Sequence, residues 1–203
     1  PEAKPQMSES APPLVLENGH TGEVLRLVRY ARAEGDRLEF DGMIPQGRAS
    51  MAVHLHRAED LELSVRLGTL RILLNDLRGS LEEGKSLMIP RGSAYRVWNE
   101  GPGPVHYHGS VEPVVDMDRY LEAVFQVINA SPKDQPSLTY LAKVMLAHRK
   151  TQTIRLLTRP FQDPLFWGVV LAGTLTGRYR GTAWPGAPAG LHGAPLGSES
   201  SSS

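Results

Sequence analysis

The chain has 203 residues, which is the size of one principal domain with room for a helical extension. It contains 22 basic and 22 acidic residues, so no net charge draws it to nucleic acid or to an anionic membrane surface. It contains no cysteine, which excludes disulfide bonds, thiolate metal ligands and a cysteine nucleophile. Any metal site must therefore use nitrogen and oxygen ligands.

The first part of the chain is not expected to act as a signal peptide. The stretch up to Pro13 is polar and lacks the apolar core of a signal peptide, and residues 1–20 are predicted to form a flexible N-terminal segment. The longest apolar run, Leu165–Leu175, is about half of the ~20 residues that span a bilayer. These features predict a cytoplasmic protein without a transmembrane segment.

Short alternating runs separated by glycine and proline indicate β-strands between Val24 and Pro113. The pattern is typical of an all-β sandwich or barrel. We therefore assign residues 21–115 to one β-barrel. Its predicted strands are Arg37–Ile44, Ser50–His56, Leu61–Asn75, Ser86–Pro90, Tyr95–Asn99 and Val105–Glu112.

Beyond the barrel, apolar residues recur at the spacing of an α-helix, about 3.6 residues. The pattern predicts an amphipathic helix over Asp116–Ala130, with Asp116 as its N-cap. A second helix follows Ser137 and ends with Arg149 and Lys150, whose positive charges suit the C-terminal end of the helix dipole.

A third helix is predicted from Asp163–Pro164 to about Arg178, because proline is favoured at the first position of a helix. Residues 116–180 therefore form a predicted helical extension. Residues 181–203 are rich in glycine, proline, alanine and serine and are predicted to be a disordered tail, because their apolar content is too low to offset chain entropy.

A motif of the form G-x5-P-x-G-x2-Y-x3-N stands inside the barrel region. Its residues are Gly84, Pro90, Gly92, Tyr95 and Asn99. The motif resembles the second conserved motif of the cupin superfamily, in which a metal-binding histidine occupies the position of Tyr95.

The companion motif lies upstream, where Gly47, His54, His56 and Gly68 resemble the first cupin motif. The resemblance, to small single-domain bacterial cupins, covers roughly residues 24–113. It implies a mainly β protein with a cupin-type double-stranded β-helix, also called a jelly-roll barrel, followed by about three α-helices.

His54 and His56 are the first candidate metal ligands. Residues two apart on a strand project to the same face, so the two imidazoles converge in a way that suits a transition metal. The resemblance implies a third ligand from a glutamate after this pair, yet the spacing from Gly68 places Leu61 there. A β-bulge would be needed to bring Asp60 or Glu62 inward.

The fourth ligand position is also altered. The phenol of Tyr95 has a reference pKa of about 10, so it is a poor ligand at neutral pH, and it would instead fill the barrel mouth or donate a hydrogen bond. A second pair, His106 and His108, would complete a four-nitrogen site if it faced inward, and would be ordinary surface histidines if it faced outward. The additional candidate ligands are Asp60, Glu62, Tyr95, His106 and His108, and the candidate cofactor is one divalent transition metal (Mn, Fe, Ni or Zn).

Strand parity predicts which residues line the barrel. They combine apolar walls with a few polar points, an environment that suits a small and partly hydrophobic molecule. The predicted pocket residues are His54, His56, Leu61, Leu63, Val65, Tyr95, Val97 and Asn99.

Three functions follow from these observations. The first is a barrel that binds a small molecule and has a degenerate metal site with little or no metalloenzyme activity. The second is a metal-dependent enzyme of the dioxygenase, isomerase, epimerase or polyketide-cyclase type, as the resemblance suggests. The third is an interaction module that docks a partner or a membrane surface through its C-terminal helices. A homodimer is expected on general grounds, because the edge strands of an open sandwich need cover, which either the helices or a second subunit can supply.

Overall fold

The structure is a computed structural model, and it describes residues 8–9, 12–31, 35–132, 136–155 and 159–179. These residues form strands β1 (Ser8–Glu9), β2 (Leu14–Glu17), β3 (Val24–Ala31), β4 (Arg37–Ile44), β5 (His54–His56), β6 (Asp60–Leu67), β7 (Thr69–Leu74), β8 (Leu77–Glu82), β9 (Ser86–Ile89), β10 (Tyr95–Trp98), β11 (Val105–Glu112) and β12 (Gln152–Ile154), with helices α1 (Met117–Asn129), α2 (Leu138–Ala147) and α3 (Arg159–Leu175).

The strands form two antiparallel sheets. The larger sheet has the order β1-β3-β4-β11-β6-β9, and β2 also pairs with β3. The smaller sheet has the order β12-β5-β10-β7-β8. From β4 onward the chain passes back and forth between the sheets, except that β7 and β8 are neighbours in the smaller one. The inward apolar side chains of both sheets form one core. The fold is therefore a cupin-type double-stranded β-helix followed by helices, as the motifs predict.

Each predicted strand of the barrel corresponds to a strand of the structure, but β3 and β8 were not among the predicted strands, and two predicted strands differ in extent. The predicted run Leu61–Asn75 divides into β6 and β7 at Gly68, whose positive φ of 84° reverses the chain. The predicted strand Ser50–His56 is regular only over β5, because residues 51–53 form a bend.

Three strands, β1, β2 and β12, lie in segments that were predicted to have other structures. Within residues 1–20, predicted to be flexible, β2 pairs with β3 and buries Leu16. Within the predicted helical extension, β12 pairs with β5 and extends the smaller sheet. The predicted tail, residues 181–203, lies outside the described residues.

The helices match the prediction in number and differ at their ends. Asp116 occupies the N-cap position of α1, but its side chain makes no capping hydrogen bond and instead accepts one from His148 Nδ1 at 2.6 Å. Ser137 likewise precedes α2 without capping it. Helix α3 begins at Arg159, ahead of the predicted start, and Pro164 lies inside it. Proline is unfavourable there, because it removes one backbone hydrogen bond and its ring crowds the carbonyl four residues earlier in the helix. None of the described helices is long and apolar enough to cross a bilayer.

Two aromatic rings fill the barrel between β4 and β11, and each lies over a glycine of the neighbouring strand. A methyl group added at Gly42 would lie 2.3 Å from the Tyr107 ring, and one added at Gly109 would lie 2.1 Å from the Phe40 ring. The two rings meet edge to face, with centroids 6.2 Å apart. The glycines thus create the space that the rings occupy.

Gly109→Ala is expected to lower the free energy of unfolding by about 2 kcal/mol, because the new methyl group must displace the Phe40 ring. The matched control is Gly79→Ala on β8, where the nearest atom would be 3.8 Å away and the change should stay within about 0.5 kcal/mol. Urea unfolding of both variants measures the difference. Equal stability of the two variants would show that the ring is not confined.

Candidate functional site

His54, His56 and Tyr95 come together inside the barrel. Tyr95 on β10 pairs directly with His54 on β5, and all three side chains are buried. The ring centroids lie 4.4 Å apart for His54 and Tyr95 and 5.3 Å apart for the two histidines. The two cupin-like motifs therefore meet at one point, as predicted.

A chain of hydrogen bonds runs through this cluster to two residues that the sequence analysis did not single out. The Tyr95 hydroxyl lies 2.8 Å from His56 Nε2, and His56 Nδ1 lies 2.5 Å from Gln152 Oε1. Gln152 Nε2 donates to Glu59 Oε2 at 2.5 Å. Gln152 and Glu59 are 1% and 0% exposed, so the whole chain is buried.

The hydrogen bonds of Glu59, the last residue of this hydrogen-bonded series, determine where each proton lies. Both oxygens of Glu59 accept hydrogen bonds, Oε1 from the backbone amides of Val115 and Asp116 at 2.7 and 3.2 Å and Oε2 from Gln152 Nε2, which is the pattern of an ionised carboxylate. The Gln152 amide thus presents its NH2 group to Glu59 and its oxygen to His56. His56 is consequently protonated on Nδ1, and its Nε2 accepts the hydroxyl proton of Tyr95.

Burial keeps the two histidines and the Tyr95 phenol uncharged. It lowers the pKa of His56 to about 4 and, with the neighbouring His56 ring, the pKa of His54 to about 3. Burial also raises the pKa of the Tyr95 phenol, so this group stays protonated. The pKa of Glu59 is raised, because burial outweighs the hydrogen bonds that it accepts.

His54 is held in a single tautomer. Its Nδ1–H donates to the Ala52 carbonyl at 2.8 Å, which leaves Nε2 as an acceptor. Among the described residues no side chain or amide donates to that nitrogen. His54 thus supplies one unused lone pair to the barrel interior.

A sequence signal for Glu59 exists. Strand parity that turns Leu61 inward also turns the residue two positions earlier inward, and that residue is Glu59. Gln152 has no comparable signal, because its contact with His56 is made across 96 positions of the chain through β12.

Two of the additional candidate ligands lie on the outer side of β6. Asp60 forms an ion pair with Arg91 at 2.6 Å, and Glu62 is exposed on the outward face. No bulge turns either carboxylate toward the histidines. Leu61 holds the inward position between them and is 1% exposed.

The second histidine pair also faces outward. Tyr107, between the two histidines, is the inward residue and is buried, so parity places His106 and His108 on the outer face. His106 is exposed, and His108 Nδ1 lies 3.0 Å from Asp41. They therefore do not complete a four-nitrogen site.

The residues at the cluster do not fit a transition metal. Both nitrogens of His56 are engaged, and the neutral Tyr95 phenol donates to one of them. Within the described part of the chain, no three histidine, aspartate or glutamate side chains are grouped closely enough to hold a metal ion. Only the lone pair of His54 remains, and a single nitrogen is too few for a metal centre.

The barrel interior itself has little free space. Its cavity measures about 30 Å³, and its walls include His54, Leu63, Tyr95 and Val97 from the predicted pocket. Such a volume holds about one water molecule. His56, Leu61 and Val65 belong to the packed core, and Asn99 donates to the carbonyls of Ile44 and Gly103.

A larger cavity of about 670 Å³ opens at the barrel mouth. Its walls come from the loop before β3, the segment 47–53, β10, and helices α1 and α2. None of the eight predicted pocket residues lines it. Ser50 and Met51 line both this cavity and the small interior one, so this segment separates the two spaces. This larger space is the mouth cavity.

The aromatic residues of α3 divide between core and surface. Phe166 is 1% exposed and packs in the core, whereas Phe161 and Trp167 are 67% and 56% exposed. The docking role of the C-terminal helices stays a prediction.

Comparison with known proteins adds structural neighbours but no sequence family. No protein-family model matches the chain, and no curated protein matches its sequence. A predicted oxalate decarboxylase from Thermotoga maritima is similar in structure, with 16% identity, coverage of 52% of this chain and 95% of that chain, and a TM-score of 0.41. KdgF from Halomonas sp. has 15% identity, coverage of 56% and 90%, and a TM-score of 0.40.

A proposed sugar phosphate isomerase from Acidithiobacillus ferrooxidans has 18% identity and a TM-score of 0.38. The match covers 44% of this chain, and this chain spans only 61% of the length of that protein. The strand order and the two motifs identify the molecule as a cupin-type β-barrel. The activities of these neighbours belong to them and are not assigned to this chain.

Proposed function

We propose that this protein binds a small, partly apolar molecule in the mouth cavity without a metal ion. The observation that carries the proposal is the contrast between the two spaces, about 670 Å³ at the mouth and about 30 Å³ inside the barrel. The first volume lies within the range of about 300–1,000 Å³ that ligand pockets occupy. The second is too small for an organic molecule.

The composition of the cavity wall supports an amphipathic ligand. Apolar side chains cover much of the wall, and its polar groups come from the loop before β3, Ser50 and three arginines. Transfer of an apolar ligand surface from water to such a wall is favourable by about 25 cal/mol per Å². The apolar wall residues are Met51, Val53, Val124, Ile128, Leu141 and Ile154.

The hydrogen-bonded chain supports the metal-free part of the proposal. A metal at His56 would have to break its bonds to Tyr95 and Gln152, and both bonds are buried. Because Gln152 is on β12, these hydrogen bonds connect β12 to the barrel. Ile154, two residues further along β12, lines the mouth cavity. The cluster thus supports the binding site rather than forming it.

The affinity of the fluorescent apolar probe N-phenyl-1-naphthylamine tests the proposal. Ala52→Trp places a large ring in the cavity wall and should weaken binding at least about tenfold. Ala147→Trp, exposed on α2 and outside the cavity wall, is the matched control and should bind normally. Each titration is run in EDTA and again with Mn²⁺, Ni²⁺ or Zn²⁺, with the same affinity expected.

Two results would contradict the proposal. Equal binding by both tryptophan variants would place the probe outside the mouth cavity. If an added metal tightened binding and this effect was lost in a His54→Gln and His56→Gln double variant, the two histidines would be shown to bind a metal.

A further inference from the structure

We propose that the ligand of the mouth cavity carries an anionic group, such as a carboxylate, phosphate or sulfonate, which Arg48 and Arg96 bind. This inference rests on the proposed function and adds the chemical class of the ligand: an amphipathic organic anion. The apolar part of the molecule would lie against α1 and α2, and the charged part would lie toward the smaller sheet.

The backbone fixes the segments that carry the two arginines of the cavity wall. Arg96 is on β10, and the segment that carries Arg48 is bound to the end of the same strand. The Asn99 amide donates to the Arg48 carbonyl at 2.8 Å, and Ala49 forms a β-bridge with Trp98. The Arg48 segment is therefore held against β10 by backbone hydrogen bonds.

The two arginines mark the boundary between two open spaces. Arg48 and Arg96 line the mouth cavity and also a second cavity of about 510 Å³ on the outer face of the smaller sheet. Their guanidinium groups are accessible from both sides. An anion that enters from solvent can reach them while the rest of the ligand occupies the mouth cavity.

Neither arginine is neutralised by the protein. No carboxylate among the described residues forms an ion pair with Arg48 or Arg96, although the chain contains as many acidic as basic residues. Arg71 and Arg91, by contrast, are paired with Glu100 at 3.0 Å and with Asp60 at 2.6 Å. Both positive charges at the mouth cavity are therefore available to a ligand.

The other charged residues of the cavity wall also favour binding of an anion near Arg48 and Arg96. Arg155 also lines the mouth cavity and is 3.5 Å from Asp76, an exposed pair that contributes little. Glu23 is the acidic residue of the wall, and its side chain is buried. The exposed charges of the wall are therefore those of the arginines, and an anionic group is attracted to that side.

Arginine suits this role better than lysine would. Its planar guanidinium presents a fork of N–H donors that matches two oxygens of a carboxylate, phosphate or sulfonate. Two such groups at one site should contribute at least about tenfold in affinity, equivalent to 1.4 kcal/mol.

A pair of matched probes tests the inference. 8-Anilinonaphthalene-1-sulfonate has the body of N-phenyl-1-naphthylamine with an added sulfonate. The native protein should bind the sulfonate at least about tenfold more tightly, and added NaCl should weaken only the sulfonate complex, because salt screens exposed charges. The Arg48→Gln and Arg96→Gln double variant should lose this preference and keep its affinity for the neutral probe.

The control is the Arg26→Gln and Arg66→Gln double variant, which removes the same charge from exposed positions of the larger sheet. It should bind both probes as the native protein does. The Arg48→Lys and Arg96→Lys variant keeps the charge and should retain part of the preference, and thermal unfolding checks that each variant is folded.

The outcomes separate this inference from the proposed function. Binding of the neutral probe in the mouth cavity, with no preference for the sulfonate or with a preference that survives removal of both arginines, overturns the anion site and leaves the proposed function standing. No binding of either probe overturns both. An equal loss of sulfonate binding in the control shows a general charge effect and also overturns the anion site.

Discussion

Replacement of Gln152 by leucine is expected to lower the free energy of unfolding by about 4 kcal/mol. Gln152 is 1% exposed and joins His56 to Glu59 with one hydrogen bond on each side. Leucine fills a similar volume but leaves His56 Nδ1–H and a Glu59 oxygen without a partner. A buried donor left alone costs about 1–3 kcal/mol, and a charged group costs more.

The matched control is Thr153→Val, the next residue on β12. Its hydroxyl accepts a hydrogen bond from Arg57 on the partly exposed side of the strand. This control should change the free energy of unfolding by less than about 1 kcal/mol. Urea unfolding at pH 7 measures both variants. A Gln152→Leu protein as stable as the control would show that the buried chain adds nothing to stability.

A double variant distinguishes the cost of leaving a buried polar group unpaired from the cost of lost packing. Glu59→Leu combined with Gln152→Leu removes the buried charge together with its partner, so the double variant should lose less stability than the sum of the two single variants. Strict additivity would mean that Glu59 and Gln152 act independently, against the 2.5 Å contact between them.

The barrel could be predicted from local sequence because its strands alternate and its turns contain glycine or proline. β4, β9 and β11 have the predicted bounds within one residue. The first helix is equally local, since its apolar stripe is continuous from Met117 to Ile128. In these segments the local preference and the packed structure agree.

The short strands could not be predicted in this way. β12 has only three residues within a region of helical period, and its pairing with β5 depends on a contact almost 100 positions away. β8 exposes most of its residues, so it shows no alternation of polar and apolar side chains. Both strands are specified by the neighbouring strand rather than by their own composition.

The convergence of three candidate residues could be predicted from the sequence, whereas the residues and cavities around them could not. His54, His56 and Tyr95 converge because strand parity and the two motifs locate them. The orientation of His106 and His108 depended on the register after the Gly101–Pro104 turn, and burial of Tyr107 decides it. The mouth cavity is formed by loops and helices distant in sequence, and the sequence gives no pattern for such a space.

The free energy of unfolding is expected to fall as the pH is lowered from about 6.5. In the unfolded chain a histidine has a pKa near 6.5, whereas in the native protein the pKa of His56 is about 4 and that of His54 about 3. Between these values the unfolded chain binds more protons, so acid favours unfolding. The stability is fully present above pH 6.5 and is lost as the pH falls toward 4.

The expected size of this loss is about 3 kcal/mol for each histidine between pH 6.5 and pH 4. Glu59 acts in the opposite direction, because its raised pKa lets the native protein take up a proton before the unfolded chain does. The loss should therefore be steepest between about pH 6.5 and 5 and flatter below that range.

Urea unfolding at pH 7, 6 and 5 measures the slope. The His54→Gln and His56→Gln double variant should be less stable at pH 7 but nearly independent of pH over this range, because the two buried titrating groups are gone. The control, His106→Gln with His108→Gln, removes two histidines from the outer face and should keep the native slope. A native protein with constant stability from pH 7 to 5 would contradict the neutral, buried state of the pair.

The same experiment bears on how the cluster works. If His56 is neutral and accepts the Tyr95 proton, acid must reverse the Tyr95–His56 bond, since a protonated His56 has no lone pair on Nε2 and can only donate to the phenol oxygen. Tyr95→Phe removes this bond from the start. Its stability at pH 7 should be lower by about 1–3 kcal/mol, and its loss of stability on acidification should be at least as large as that of the native protein, because the Nε2–H of a protonated His56 then has no acceptor.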